Sequence, residues 1–211
     1  YCTTESNKTI ILPRNAAGIP TGLTCKGIVF HIIDDFETFK STNDLNDSNL
    51  NGYQEKHGLV VSTKKGNNFG TVAAADIEQA FIDGNVEKYT DTETSNGYKL
   101  TQILVGTENL GFIALNNHTE KLNNSTAWYA PSFNELKYLI QGENTQTGST
   151  SGQEYINKQL KKINADELAG TIPSVTFYNG VGDHGLRLMT GGSENGWHGI
   201  PGEAFYPICA F

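Results

Sequence analysis

Residues 128–136, WYAPSFNEL, constrain the fold of this chain more than any other stretch. Pro131 has no backbone N–H, so it ends whatever element precedes it. Ser132 is a residue type that accepts hydrogen bonds from the free amides of a first helical turn, and Glu135, three residues later, can bond back to it. This capping box predicts a helix that begins directly after Ser132.

Apolar residues continue at helical spacing beyond this start, at Phe133, Leu136, Leu139 and Ile140. The spacing predicts that one face of the short helix is buried. Trp128 and Tyr129 are large aromatics just upstream, and we interpret them as core residues. The segment therefore predicts scaffold, since its polar residues have structural roles and its aromatics are expected inside.

Charge and hydropathy exclude several classes of partner. The 211 residues carry 15 Lys and Arg against 23 Asp and Glu, a net charge of -8, whereas nucleic acids and anionic membranes require a basic surface. No apolar run approaches the roughly 20 residues that span a bilayer, so no direct membrane insertion is expected. The first residue is Tyr1 and not Met, which is compatible with a leader, anchor or upstream domain that has been removed.

The composition is typical of a loop-rich extracellular protein, with 23 glycines and nine tyrosines but one methionine. Cys2, Cys25 and Cys209 allow either one disulfide with one free thiol or three buried free thiols. No CxxC spacing indicates zinc or redox chemistry. The pairing is left open by the sequence.

The first half of the chain predicts a lead-in followed by two strands. Residues 1–25 are polar and rich in turn residues, so they are interpreted as an extended lead-in or linker that packs weakly, with one strand near 9–12. Residues 27–33 and 58–62 are β-branched apolar runs of strand length. We expect these two strands to pair and to be joined by a long exposed loop.

Helices are predicted between these strands and the end of the chain. Apolar spacing indicates three helices before the Pro131 helix, over residues 71–84 with Thr71 as the cap, 98–104 and 109–116. The Gly/Ser/Thr-rich segment 142–152 is expected to be an exposed loop. Ser151 with Glu154 forms a second predicted capping box that opens a further helix.

After residue 170 the pattern returns to strands. Segments 175–178, 186–189 and 204–211 have strand character, with the Gly-rich stretch 191–202 before the last of them. Strands, then helices, then strands again predict an α+β fold.

Five segments in this order carry a family resemblance: GIVF at 27–30, HGLVV at 57–61, WYAPSFNEL at 128–136, the Ile156-Asn157 helix, and YPICAF at 206–211. The set resembles a family of Bacteroidetes surface proteins with a C-type-lectin-like domain. That fold is shared with formylglycine-generating enzymes, with fimbrial or lipoprotein adhesion domains, and with the variable proteins of diversity-generating retroelements.

The resemblance implies a single domain over residues 26–211, built of twisted antiparallel sheets, several short helices and long loops. It implies that the first and last strands pair, with 27–33 beside 206–211, and that binding loops precede the last strand. It also implies an extracellular or bacterial outer-membrane location. The usual Trp-Ser-Ser strand is replaced by residues 174–178, and the Glu-Pro-Asn, Gln-Pro-Asp and Trp-Asn-Asp tripeptides of calcium-dependent lectins are absent. Calcium-dependent sugar binding is therefore not implied.

Catalysis is not expected, and neither is a cofactor. Cys209, the residue that a formylglycine-generating reaction would need, lies in an apolar strand where thiols are buried and inert. The GVGDHG motif at 180–185 is followed by a strand and not by a helix N-terminus, so it has no dipole to face a phosphate. Several acidic and histidine residues share this region, and we interpret them as a solvated loop without metal: Asp183, His184, Glu194, His198 and Glu203. His31 and His57 are interpreted as structural.

The remaining candidate site is a binding surface on the C-terminal loops. Its predicted ligand-binding residues place aromatic faces and hydrogen-bonding groups on Gly-rich segments: Tyr178, Asn179, Asp183, Asn195, Trp197 and His198. Trp197 is the strongest single candidate for ligand contact. The alternative interpretation is that its side chain packs at the base of the loop and has a structural role.

Two hypotheses follow. The first is a non-catalytic recognition or adhesion domain on a bacterial surface, which binds a glycan or a protein through loops 142–152 and 178–204. The alternative is a structural or assembly subunit of a pilus-type fibre, in which residues 1–25 or exposed strand edges join neighbouring fibre subunits by strand addition.

Overall fold

The computed structural model describes residues 1–6, 8–46, 57–68, 72–107, 118, 122, 125–180, 183–195 and 204–211. The elements in these residues are, in chain order, β1 (Cys2–Thr4), β2 (Thr9–Ile10), β3 (Leu23–Cys25), β4 (Gly27–Ile33), α1 (Phe36–Thr42), β5 (His57–Ser62), α2 (Ala74–Asp83), α3 (Gly97–Gly106), α4 (Phe133–Gln141), α5 (Ser151–Lys162), β6 (Thr171–Gly180), β7 (Asp183–Thr190), β8 (Ser193–Asn195) and β9 (Ile208–Ala210).

The strands form three small antiparallel sheets, in the orders β2-β1-β3, β4-β5-β9 and β6-β7-β8. Helices and antiparallel sheets together confirm the predicted α+β class. The expected pairing of the first two long strands is also confirmed: the register of β4 and β5 runs from Gly27 opposite Ser62 to Ile33 opposite His57.

The pairing implied for the last strand is wrong. Residues 206–211 do not lie beside 27–33, because β5 separates them: Val60 of β5 is opposite Cys209 of β9. Leu59, Val60 and Val61 are fully buried. Three consecutive apolar residues are typical of a strand covered on both faces, which suits β5 to the central position.

The first three residues pack tightly, which the expectation of a weakly packed lead-in did not include, whereas the described residues from Thr4 to Cys25 are half-buried or exposed. Tyr1, Cys2 and Thr3 are buried. The Tyr1 ring lies 5.4 Å from the ring of Phe211, and the Tyr1 amino group donates to the Gly27 carbonyl over 3.1 Å. The contact between the two rings packs the residue that precedes β1 against the end of the chain. The polar first segment is thereby anchored in the core. The strand predicted near residues 9–12 is present as β2.

The Pro131 helix begins as predicted. The Ser132 N–H donates to Oε2 of Glu135 over 2.7 Å, and the Glu135 N–H donates to the Ser132 hydroxyl over 3.4 Å. Both bonds of the capping box are therefore made. The helix predicted over 98–104 is confirmed as α3, and the one predicted to stop near Gly84 is confirmed as α2. Thr71 and the helix expected over 109–116 lie outside the described residues.

Two helix starts differ from the predictions. Helix α1 occupies part of the expected loop, and its cap is Asp35, whose Oδ1 accepts from the Thr38 N–H over 3.0 Å. Helix α5 begins at Ser151 with Thr150 at the N-cap position, where its side chain makes no capping hydrogen bond, and the Ser151 hydroxyl donates to the Gln141 carbonyl over 2.5 Å. The second predicted capping box is therefore wrong, because Ser151 bonds to the end of the preceding helix.

The core has three apolar clusters. One lies between the β4-β5-β9 sheet and helices α4 and α5, a second joins α2 and α3 to β6 and β7, and a third gathers Tyr1, Trp128 and Phe211 around Val60. Trp128 and Tyr129 are buried, which confirms their assignment to the core. Across the described ranges, no helix combines the length and apolar character needed to cross a membrane.

Candidate functional site

A cleft of about 610 Å³ lies between the start of the chain, strand β4 and helix α5. One side is formed by residues 1–2 and 11–19, and the floor by residues 28–32 of β4. Gly142, Glu143 and one face of α5, from Ser151 to Lys162, complete it. Because residues 1–25 fold back as a small sheet rather than trail away, they supply a wall that the sequence did not predict.

Most of the cleft surface is apolar. Ile28, Val29 and Phe30 line it from β4, and Leu12 and Ile19 face it from the start of the chain. Two apolar lining side chains are unusually open to solvent, Ile11 at 39% and Ile32 at 42%. Exposed apolar side chains gathered at a concave surface are typical of a binding site.

A histidine and a carboxylate stand at one end of the cleft. The His31 ring stacks on Tyr138 at a centroid distance of 3.9 Å, and its Nδ1 lies 3.0 Å from Oε2 of Glu143. Tyr138 belongs to α4, and Glu143 follows that helix directly. Stacking and hydrogen bonding together hold the orientation of this ring at the edge of the cleft.

A second polar group marks the opposite side. The Arg14 guanidinium lies 4.6 Å from the ring centroid of Tyr155 on α5, and Lys162 donates to the Ala16 carbonyl over 3.1 Å. These contacts hold residues 13–19 against α5 through a cation–π interaction and a charge-assisted hydrogen bond. The cleft thus has an apolar middle and charged groups at its edges.

The described residues of the predicted C-terminal site lie on strands β6, β7 and β8, away from the cleft. Tyr178 and Asn179 lie on β6, where the Arg187 guanidinium is 5.0 Å from the Tyr178 ring and Asn179 donates to Glu78 over 2.8 Å. The backbones of Asp183 and Asn195 lie in β7 and β8. Trp197 and His198 fall outside the described residues. Of the predicted residues whose side chains the structure describes, Tyr178 and Asn179, neither lines the cleft.

Loop 142–152 connects the two faces. The Gly192 carbonyl, in the turn between β7 and β8, accepts from the Gln141 side chain over 2.6 Å and from the Gly148 N–H over 2.9 Å. A Cβ at Gly192 would lie within 2.8 Å of Gly148, and the φ of Gly192 is +78°, so the turn requires glycine there. The other end of this loop forms part of the cleft.

Three further chemical candidates, Cys209, Glu194 and His57, are enclosed or have partners within the protein. Burial raises the pKa of the Cys209 thiol, which is fully enclosed in β9. Glu194 is paired with Arg187. His57 stacks on Phe36 at 3.5 Å and its Nδ1 donates to the Phe211 carbonyl over 2.9 Å, which fits the structural role expected for it. Within the described ranges, no three His, Cys, Asp or Glu residues are grouped to hold a metal ion.

Sequence reasoning missed the cleft and its polar groups. Arg14 and Glu143 lie in segments that the sequence predicts to be a lead-in and an exposed loop, and the contacts of His31 with Tyr138 and Glu143 are compatible with the structural role expected of it. The available signal was one polar residue inside the apolar run 27–33. Its partners come from segments more than 100 positions away, which no local pattern identifies.

Comparison with known proteins found no match: no protein-family model, curated protein or solved structure matches this chain.

Proposed function

We propose that this chain is a non-catalytic recognition or adhesion domain of a bacterial cell surface, with a C-type-lectin-like fold. The cleft between the start of the chain, β4 and α5 is the observation that carries the proposal. Its wall includes Gly142 and Glu143 of loop 142–152, one of the two loops that the sequence predicts to bind ligand. Ligand binding then involves this cleft in addition to the C-terminal loops.

A protein segment suits the cleft better than a sugar does. Sugar rings require many hydrogen-bonding groups around an aromatic face, whereas the floor of this cleft is formed by aliphatic and aromatic side chains of β4. Ile11 and Ile32 offer apolar contacts, and His31, Glu143 and Arg14 offer polar contacts at the edges. Apolar anchors with a charged rim are typical of peptide and protein recognition. A glycan remains the alternative ligand of the C-terminal loops.

The C-type-lectin-like assignment is supported by the kinds of element present. Small antiparallel sheets alternate with five short helices in the described residues, and the apolar last strand packs into the core. The absence of catalysis is proposed because the Cys209 thiol, on which a formylglycine-type reaction would depend, is closed off from solvent.

The test is binding on arrays of surface proteins and glycans, with single substitutions that separate the two faces. Ile32→Ser changes the cleft, and Trp197→Ala changes the C-terminal loops. Val105→Ser is the matched control, since Val105 is 53% exposed on α3 and does not line the cleft. We expect Ile32→Ser to lower affinity at least tenfold for a protein ligand, with Val105→Ser unchanged. Array binding that neither Ile32→Ser nor Trp197→Ala alters would count against the proposal.

The assembly-subunit alternative is favoured by one observation. Strand β4 is an edge of the β4-β5-β9 sheet, and the same strand forms the cleft floor. A strand from a neighbouring subunit is therefore a conceivable occupant, because edge strands add partners. Light scattering across a concentration series distinguishes the two functions: self-association that Ile32→Ser abolishes favours assembly, and a monomer that binds an array ligand favours recognition.

A further inference from the structure

Cys2 and Cys25 lie directly opposite each other on the antiparallel strands β1 and β3. In the next position along the ladder, the Lys26 N–H donates to the Tyr1 carbonyl over 2.9 Å, so Tyr1 and Lys26 form a hydrogen-bonded pair. Hydrogen-bonded and non-hydrogen-bonded pairs alternate along an antiparallel ladder. Cys2 and Cys25 therefore occupy a non-hydrogen-bonded position, where opposite side chains approach each other most closely.

This position suits a disulfide bond. Cα atoms of non-hydrogen-bonded pairs are about 4.5 Å apart, and disulfides span Cα separations of about 4.4–6.8 Å. The two side chains point to the same face of the sheet, since the two residues are directly opposite on the ladder. The typical Cα separation of such a pair therefore falls within the range that a disulfide spans.

We propose that Cys2 and Cys25 form an intramolecular disulfide and that Cys209 remains a free thiol. The bond forms by exchange with a small disulfide such as oxidised glutathione. The Cys2 thiolate attacks one sulfur of that disulfide and releases one glutathione thiolate. The Cys25 thiolate then attacks the Cys2 sulfur of the mixed disulfide and releases the second. The chain loses two electrons and two protons, and one glutathione disulfide becomes two thiols.

The surroundings of the two thiols support this order of attack. The hydrogen bond from Cys25 lowers the pKa of Cys2 to about 6, which makes Cys2 the nucleophile. The same bond, burial and the charge on Cys2 raise the pKa of Cys25. Once Cys2 is in a mixed disulfide, it carries no negative charge and no longer accepts a hydrogen bond from the Cys25 thiol. Cys25 then ionises more readily and completes the bond.

Cys209 does not take part in this reaction. Its neighbour across the ladder is Val60, and it is fully buried in β9, whereas Cys2 and Cys25 both line the cleft. Cys25 is partly exposed at the cleft and Cys2 is buried, so an oxidant reaches the pair from the cleft side while the small sheet is still forming. The bond would close the chain from position 2 to position 25 and fix the small sheet that forms one wall of the cleft.

Peptide mapping tests the pairing on the full chain. The protein is refolded in a mixture of reduced and oxidised glutathione, its free thiols are alkylated, and it is digested with trypsin without reduction. Cleavage after Lys8, Arg14 and Lys26 separates the two cysteines. We expect mass spectrometry to find peptide 1–8 joined to peptide 15–26, with Cys209 alkylated. Alkylated Cys2 in the refolded chain, or a disulfide that contains Cys209, would overturn the proposal.

Thermal unfolding provides the second measurement. Closing a loop of this length should raise the Tm by about 10 °C in oxidising buffer over reducing buffer. The difference should vanish in Cys2→Ser and in Cys25→Ser and persist in Cys209→Ser. An equal oxidation-dependent shift in Cys2→Ser would also overturn the proposal, and the peptide map of the unmodified chain decides it if a variant does not fold.

Discussion

The Tyr129 hydroxyl donates a hydrogen bond to Oε1 of Glu135 over 3.0 Å, and both side chains are fully buried. The other carboxyl oxygen accepts the Ser132 N–H over 2.7 Å. Glu135 therefore caps helix α4 and also accepts the hydrogen bond of the buried Tyr129 hydroxyl. Burial raises the pKa of Glu135 to about 7, against the lowering effect of its hydrogen-bond donors.

The first prediction concerns pH. The pKa of Glu135 is about 7 in the folded chain and ordinarily 4.5. Between these values the folded chain binds more protons than the unfolded chain, so the free energy of unfolding falls as pH rises. The contribution is fully present below pH 4.5 and is lost by pH 7, a change of about 3 kcal/mol. Urea unfolding of the native chain and of Glu135→Gln, across pH 4.5 to 7.5, measures it.

Glu135→Gln should remove this part of the pH dependence. The exposed carboxylate in Glu154→Gln is the control and should leave the profile of the native chain intact. Parallel profiles for the native chain and Glu135→Gln would show that the carboxyl is ionised in the folded state throughout.

The second prediction concerns Gly97, the first residue of α3. A Cβ there would lie 2.5 Å from the Ser132 nitrogen and 2.8 Å from the Ala130 carbonyl oxygen, distances that the backbone cannot accept without shifting. Gly97→Ala should lower the free energy of unfolding by about 3 kcal/mol, since overpacking a buried site distorts it. Gly106→Ala, at the end of the same helix, meets nothing within 4 Å and should be neutral or slightly stabilising. Equal losses in the two variants would contradict this account.

A third prediction uses two isoleucines of helix α2. Ile77 is fully buried, and Ile82 is 50% exposed. Ile77→Ala should cost about 3 kcal/mol because it removes apolar contacts and leaves a cavity, whereas Ile82→Ala should stay within about 0.5 kcal/mol. Chemical denaturation measures both. A large loss for Ile82→Ala would instead indicate that this exposed face has a partner.

The fourth prediction concerns Asn157 on α5. Its Nδ2 donates to the Leu168 carbonyl over 2.9 Å, and its Oδ1 accepts the Leu168 N–H over 2.7 Å. The side chain thereby clamps the segment between α5 and β6. Asn157→Ala should cost about 2 kcal/mol, the sum of two hydrogen bonds to backbone.

Asn157→Asp keeps the acceptor for the Leu168 N–H and loses the donor to the Leu168 carbonyl. If one bond survives, its loss of unfolding free energy should be smaller than that of Asn157→Ala. The exposed neighbour Lys158→Ala is the control. A loss for Asn157→Ala no greater than that for Lys158→Ala would show that the clamp does not stabilise the fold.

Local patterns were sufficient where the interaction partners are close in sequence. The capping box of Ser132 and Glu135 spans three residues, so its chemistry is visible without a structure. The apolar run of 27–33 similarly identified β4 by composition alone. The same reasoning missed α1, whose cap Asp35 bonds to Thr38 within the same turn but whose helix carries a weak apolar pattern.

What the sequence by itself determined is the α+β class, the buried face of α4 and the pairing of β4 with β5, because hydrophobic periodicity and caps act within one element or between its neighbours. Only the tertiary structure decided that β5 separates β4 from β9, that the polar first residues are buried, and that Cys2 faces Cys25. These outcomes depend on packing between segments that are more than 20 residues apart in the sequence. The closing of a long loop leaves no periodic signature, since its free energy depends only weakly on the residues inside it.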